Sequence, residues 1–318
     1  MPLKTIDNIN IQMKKENLVH LVYNPGAGPD DEDLTEEIAA VIRTHGFNCV
    51  HPSVEKKLLK DIDPQTEFIA VAGGDGTVKK VMLKMLNKKL KHKRPLAILP
   101  HGTANNVANS LGIPENMFDN VSSWSDRKLK RFDVGQADLM GETRYFVEGL
   151  GFGLFPKLIK VLSERSLPEI DTPEDEFEMA LEELSALTQK YKAVPLKLWI
   201  NNDVIEEDCI LLEVMNISSL GPRLALSPKA DPSDGLLDVI IVTEKQRPLL
   251  LKYFERVKLN PRAVFPIKPI RVNTLALEWQ GKFMHIDDEL VKVEEGACIE
   301  ISVLEGVFEV LMPTSRRE

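Results

Sequence analysis

Gly73-Gly74-Asp75-Gly76-Thr77 stands between two stretches of opposite texture. Before it, Phe68-Ile69-Ala70-Val71-Ala72 is a short unbroken apolar run, the pattern of a fully buried strand. After it, Val78, Val81, Met82, Met85, Leu86 and Leu90 recur at helical spacing. A strand that breaks at glycines and restarts as a helix gathers backbone N–H groups and a positive dipole end at one point. Such a point suits an oxyanion, most often a phosphate. The glycines permit positive φ and close approach of a ligand. Asp75 repels a phosphate unless a cation lies between them, so strand, loop and acid together point to a metal-bound nucleoside triphosphate.

The same design recurs on either side. Leu96–Pro100 is an apolar strand, His101–Asn106 a polar turn, and Val107–Leu111 starts like a helix. Earlier, Asn24-Pro25-Gly26-Ala27-Gly28 closes the strand Leu18–Tyr23, and Leu34, Ile38, Val41 and Ile42 mark an amphipathic helix. Strands alternating with helices predict a mainly parallel α/β sheet. Loops at the ends of successive strands then share one edge, where such folds bind ligands.

Near Asp133 the texture changes. Tyr145–Leu150, Leu196–Ile200, Cys209–Asn216, Leu236–Val242, Val272–Trp279 and Ile299–Leu304 are short β-rich runs, with Asn201-Asn202-Asp203 as a hairpin turn. This spacing predicts an antiparallel sandwich or roll, interrupted by helices over Glu174–Tyr191 and Pro248–Leu259.

Composition fits a soluble enzyme. The 318 residues allow two domains, and 43% hydrophobic and 28% charged residues are ordinary for a globular chain. Three scattered cysteines make no disulfide framework and suit a reducing cytosol. The first residues lack the apolar core of a signal peptide, and no apolar run approaches the roughly 18 residues of a membrane span. A net charge of −9 argues against nucleic acid. Every charged residue from Gly76 to Arg94 is nevertheless basic. That run reads either as a solvated helix face or as a field for phosphates and anionic lipid.

The order Asn24–Gly28, Gly73–Thr77, Leu99–Asn105 and Asp133-Val134-Gly135 resembles the diacylglycerol kinase catalytic-domain family, which includes bacterial soluble lipid kinases and is related to sphingosine kinases. Leu226–Ala230, Asp234–Asp238 and His285–Glu289 continue the resemblance through the second half. It implies an α/β domain like that of NAD kinase and phosphofructokinase over residues 1–133, a β-rich lipid-substrate domain over 134–304, and a return of about 305–318 to the first domain. ATP is implied in the cleft between them. Asn24, Ser53, Gly73, Gly74, Asp75, Gly76, Thr77, Thr103 and Asn105 are the implied nucleotide contacts. Asp75 and Asp133 would orient catalytic Mg²⁺, with Asn106 also a candidate ligand. Glu289 is the implied base, with Asp75 and Asp287 as further catalytic acids. Asp287 and Glu289, two apart, converge on one face if the stretch is extended. A separate structural Mg²⁺ is implied at Asp231, Asp234 and Leu236.

Three departures stand out. Asn106 replaces the usual Asp, Lys80 the usual Glu, and Asp288 the Gly of Asp-Gly-Glu. The expected activity is transfer of the ATP γ-phosphate to a lipid hydroxyl, on diacylglycerol, phosphatidylglycerol, ceramide or a sphingoid base, by a cytoplasmic protein that meets membranes peripherally. A homodimer is compatible with this reading. NAD kinase, which shares the glycine loop, and a non-catalytic nucleotide- or lipid-binding regulator are the alternatives.

Overall fold

The computed structural model describes residues 17–24, 33–51, 59, 62–87, 94–164, 172–221 and 223–313. In the first part the chain order is β1 (Leu18–Tyr23), α1 (Thr35–Thr44), β2 (Asn48–Val50), β3 (Thr66–Gly73), α2 (Asp75–Asn87), β4 (Leu96–Pro100), α3 (Asn106–Leu111) and α4 (Met117–Ser122). The four strands pair in parallel in the order β2-β1-β3-β4. The apolar runs of β3 and β4 have the reason expected of them, because both faces of the sheet are covered. Alternate residues of β3 divide between two cores. Ile69 and Val71 pack with Val78, Val81, Met82 and Met85 of α2. Phe68, Ala70 and Ala72 pack with Ile38, Ala39 and Ile42 of α1.

The second part runs β5 (Lys128–Leu139), β6 (Glu142–Phe146), β7 (Gly149–Gly153), α5 (Leu154–Ser163), α6 (Pro173–Lys190), β8 (Val194–Ile200), β9 (Asp203–Met215), β10 (Leu237–Thr243), α7 (Arg247–Leu259), β11 (Ile270–Val272), β12 (Thr274–Trp279), β13 (Phe283–Ile286), β14 (Glu289–Lys292) and β15 (Cys298–Met312). Its strand pairs are antiparallel. The first half of β9 pairs with β8, and its second half lies between β7 and β10. The molecule is therefore a parallel α/β unit joined to an antiparallel β-sandwich. One long strand makes the join: β15 pairs with β12 and β5, then meets β4 in parallel at Val310 opposite Leu96.

Several expected segments are divided or extended. Tyr145–Leu150 is not one strand; the chain leaves β6 at Phe146 and enters β7 at Gly149, with Val147 and Glu148 between. Val272–Trp279 likewise divides into β11 and β12. Phe155–Leu162 lies in α5. β5 passes through Asp133 without interruption, so the change of texture falls inside a strand. The Asn201-Asn202 turn has φ of 50° and 66°, left-handed values that asparagine tolerates.

Candidate active site

The strand-to-helix turn β3–α2 meets the β4–α3 turn backbone to backbone. A Cβ on Gly102 would lie 2.5 Å from the Cα of Gly74, and one on Gly73 would lie 2.7 Å from the Thr77 side chain. A Cβ on Gly76 would have open space around it. Close approach is therefore what demands glycine here. None of Gly73, Gly74 and Gly76 takes positive φ, which corrects one half of the expectation. Asn105 does adopt a left-handed φ of 51°, and its side chain both accepts from Gly102 N (3.0 Å) and donates to Gly102 O (2.7 Å). It braces the turn. Asn24 Nδ2 donates to Thr77 Oγ1 at 3.3 Å, tying the end of β1 to the glycine loop.

Asp75 opens α2, and its carboxylate accepts from the backbone amides of Asn106 (2.8 Å) and Val107 (3.0 Å) at the start of α3. One acid thus joins both loops. Burial pushes its pKa up, opposed by these amides and by Arg223. Below it lies the residue that sequence reading missed. Glu148 is buried and accepts from Asn106 Nδ2 at 3.3 Å. Burial first, then the neighbouring charges of Asp75 and Asp287, drive its pKa well above the usual carboxylate range. Asn106 also donates to Gly221 O at 2.8 Å, while its buried Oδ1 has no protein partner.

Asp287 is buried in the β13–β14 turn with a φ of 53°. Its carboxylate accepts from the amides of Val147 (3.1 Å), Glu148 (2.8 Å) and Gly149 (3.2 Å). Burial raises its pKa, against the pull of these amides and Lys79. Beneath the turn, His285 bonds Asp287 O at 2.7 Å and Glu213 at 2.8 Å. Burial acts to lower the His285 pKa, but the Glu213 carboxylate outweighs it and the net shift is upward.

Glu289 does not converge with Asp287. The pair is not in extended chain: Asp287 turns inward, whereas the Glu289 side chain is 64% exposed with Arg144 at 4.0 Å. Positive φ also falls at Asp287, not at Asp288 where the family resemblance has glycine.

Asp75, Gly76, Asn106, Glu148 and Asp287 share the floor of one cleft of about 290 Å³. Its walls are apolar: Phe155, Leu158, Ile159 and Leu162 of α5, Met179 and Ala180 of α6. Thr103 lines a neighbouring cavity on the other side of α6, with Phe177, Leu181 and Lys258. Ser53 lies outside the described residues.

The remaining expected metal ligands form a separate set. Asp133, given to catalytic Mg²⁺ by resemblance, accepts with its two oxygens from the amides of Gly235 (2.8 Å) and Gly306 (2.6 Å), away from the cleft floor. It pins the 231–236 loop to β15. Asn216 links this set to the cleft by donating to Asp133 O (3.0 Å) and Val147 O (2.9 Å).

Two metal positions can be tested against these side chains. Among the described residues no three His, Cys, Asp or Glu side chains are grouped to hold an ion. At the cleft floor, however, Asn106 bonds Asp75 through its backbone amide and Glu148 through Nδ2 while its buried Oδ1 has no protein partner, and hard oxygen donors of this kind suit Mg²⁺. The 231–236 loop does not fit. Asp231 is paired with Lys130 at 2.9 Å, Arg271 pairs with Asp234, and Arg271 Nε reaches buried Asp238 at 3.2 Å. The amide of Asp234 already takes Asp231 O at 3.3 Å, and that of Leu236 takes Asp234 Oδ1 at 3.0 Å. The chain's own cations neutralise this loop. Chelation with EDTA is therefore expected to leave the melting temperature unchanged. Arg271→Met is expected to cost about 1–2 kcal/mol by leaving Asp238 short of a charged donor. A clear fall on chelation without nucleotide, abolished by Asp231→Asn, would return an ion to the loop.

A glycine-loop α/β unit facing a sandwich, with an acidic floor between them, defines a kinase frame of NAD kinase type. Residues 18–137 match the diacylglycerol kinase catalytic domain, and residues 161–263 match the YegS C-terminal NAD kinase beta sandwich-like domain. The chain thus pairs a diacylglycerol kinase catalytic domain with a YegS-type sandwich domain, and its similarity to proteins named diacylglycerol kinase supports a lipid kinase. It is 26% identical over 255 residues to a diacylglycerol kinase of Mycobacterium tuberculosis H37Rv, covering 78% of this chain and 77% of that one. It is 23% identical over 305 residues to that of Bacillus subtilis 168, covering 90% and 86%. A diacylglycerol kinase structure from Bacillus anthracis superposes with a TM-score of 0.68 at 22% identity, over 95% of this chain and 99% of that one. Yeast NADH kinase superposes at 0.50 with 10% identity, over 95% and 84% of the two chains, a likeness of fold alone.

Proposed function

We propose that this chain transfers the γ-phosphoryl group of Mg²⁺-bound ATP to a hydroxyl of a membrane-derived lipid such as diacylglycerol, phosphatidylglycerol, ceramide or a sphingoid base. The observation that carries the reading is the single cleft whose floor is acidic and whose walls are aliphatic. The floor suits a polar headgroup hydroxyl beside the anion loop, and the walls from α5 and α6 suit acyl chains.

Gly73, Gly74, Gly76 and Thr77 cradle the triphosphate through the start of α2. Asp75, Asn106 Oδ1 and Glu148 would hold Mg²⁺, which when bound would supply charge neutralisation for the phosphates. The acceptor oxygen forms its bond to the γ-phosphorus as the bond to the β,γ-bridging oxygen breaks, leaving ADP. The hydroxyl proton passes to Glu289, whose exposed side chain opens the strand that follows the Asp287 turn. Asp287 keeps the β13–β14 turn in place.

The test is incubation of purified protein with labelled ATP, Mg²⁺, vesicles carrying each candidate lipid, and NAD. Label is expected on a lipid alone. Label on NAD, or nucleotide binding without transfer to any acceptor, would overturn the reading.

A further inference from the structure

We propose that Lys79 is the cation that meets the γ-phosphoryl group, and that Asp288 holds its ammonium at the cleft until nucleotide displaces it. The proposal rests on the lipid-kinase reading of the same site.

Lys79 lies four residues after Asp75, one turn along α2 on the same face. Its neighbour Lys80 is exposed, whereas the Lys79 side chain is only 17% exposed and pairs with Asp288. Asp288 belongs to the cleft lining, together with Asp75, Glu148 and Asp287. The Lys79 charge also acts on the two buried acids, opposing the upward push of burial on Glu148 and Asp287. It therefore stands within electrostatic reach of the floor.

Two other cations near the cleft among the described residues are engaged. Arg223 bonds Ala104 O at 3.0 Å and Glu115 at 3.2 Å, and Arg144 is paired with Glu142 at 2.8 Å. Phosphoryl transfer depends on neutralising charge on the moving group. A floor of three carboxyl groups supplies none of that by itself. Lysine suits the task because it is a compact charge on a flexible stem. Asp288 is 72% exposed, and an ion pair with so open a partner is worth little. Exchange of that carboxylate for a phosphate is accordingly cheap.

Calorimetric titration of a non-hydrolysable ATP analogue and of ADP, each with Mg²⁺, reads the assignment directly. Wild type is expected to favour the triphosphate by about tenfold, and Lys79→Met to lose most of that preference. Lys79→Arg should recover part of it. Asp288→Asn should tighten the triphosphate a few-fold by removing the competing carboxylate. Turnover of Lys79→Met should fall about a hundredfold. A Lys79→Met protein whose triphosphate-to-diphosphate ratio stays within about twofold of wild type overturns the proposal. Loss of the ratio in a protein that phosphorylates no lipid would uphold Lys79 and remove the lipid-kinase reading instead.

Discussion

Asp75→Asn is expected to lower lipid phosphorylation by about a hundred- to a thousandfold. Two losses coincide at this side chain. Its two carboxylate oxygens accept the amides of Asn106 and Val107, at 2.8 and 3.0 Å. Asparagine offers one oxygen and one –NH₂, so one of those amides would face a donor. That mismatch costs about 1–3 kcal/mol and loosens the β4–α3 turn. The same change removes one negative charge from the set of oxygens around Asn106. Turnover and thermal unfolding should therefore be measured together. Activity above a tenth of wild type in a normally melting Asp75→Asn protein would end the role given to this acid.

The second large effect divides two neighbours in one turn. Glu289→Gln is expected to reduce kcat by about 10²- to 10⁴-fold, with nucleotide affinity and melting temperature unchanged. Its carboxylate makes no contact closer than 4.0 Å to Arg144, so the fold loses almost nothing with its charge. Asp287→Asn should behave in the opposite way. Its carboxylate serves three amides of the 147–149 segment from a buried, left-handed position. An amide there would set donor against donor and weaken the seating of Glu148 as well. Unfolding in urea, alongside kcat, separates the two. If Glu289→Gln keeps kcat within about threefold, the proton goes elsewhere, and Glu148 on the floor becomes the next residue to replace.

The sequence was most legible where local pattern and tertiary role agree. Phe68–Ala72 reads as a buried strand because both faces of β3 are covered, and Val78–Met85 reads as a helix because one face of α2 meets the sheet. The place of Asp75 at the start of α2 was legible for the same reason, since the strand-to-helix turn is local. Glu148 was not legible. It sits between Val147 and Gly149 in a run that reads as strand, and only its long-range neighbours Asn106 and Asp287 give it meaning. An ionisable residue inside an otherwise apolar run was the available signal. The 231–236 loop failed in the reverse sense. A carboxylate poised for an ion and one paired with arginine look alike in one dimension, and Arg271 arrives from a distant strand. Asp287 and Glu289 were misread together because the argument from alternation assumed extended chain, whereas a left-handed residue intervenes.

The long strand β15 has a mechanical consequence. It belongs to the sandwich at one end and touches the parallel strands at the other, so twisting stress passes along a shared axle. Its pairing with β5 slips between Leu304 and Phe308, and Asp133 grips the strand at that slip through Gly306. The buried acid therefore fastens that slip to the 231–236 loop, so the register of the strand shared by both units is fixed at one point.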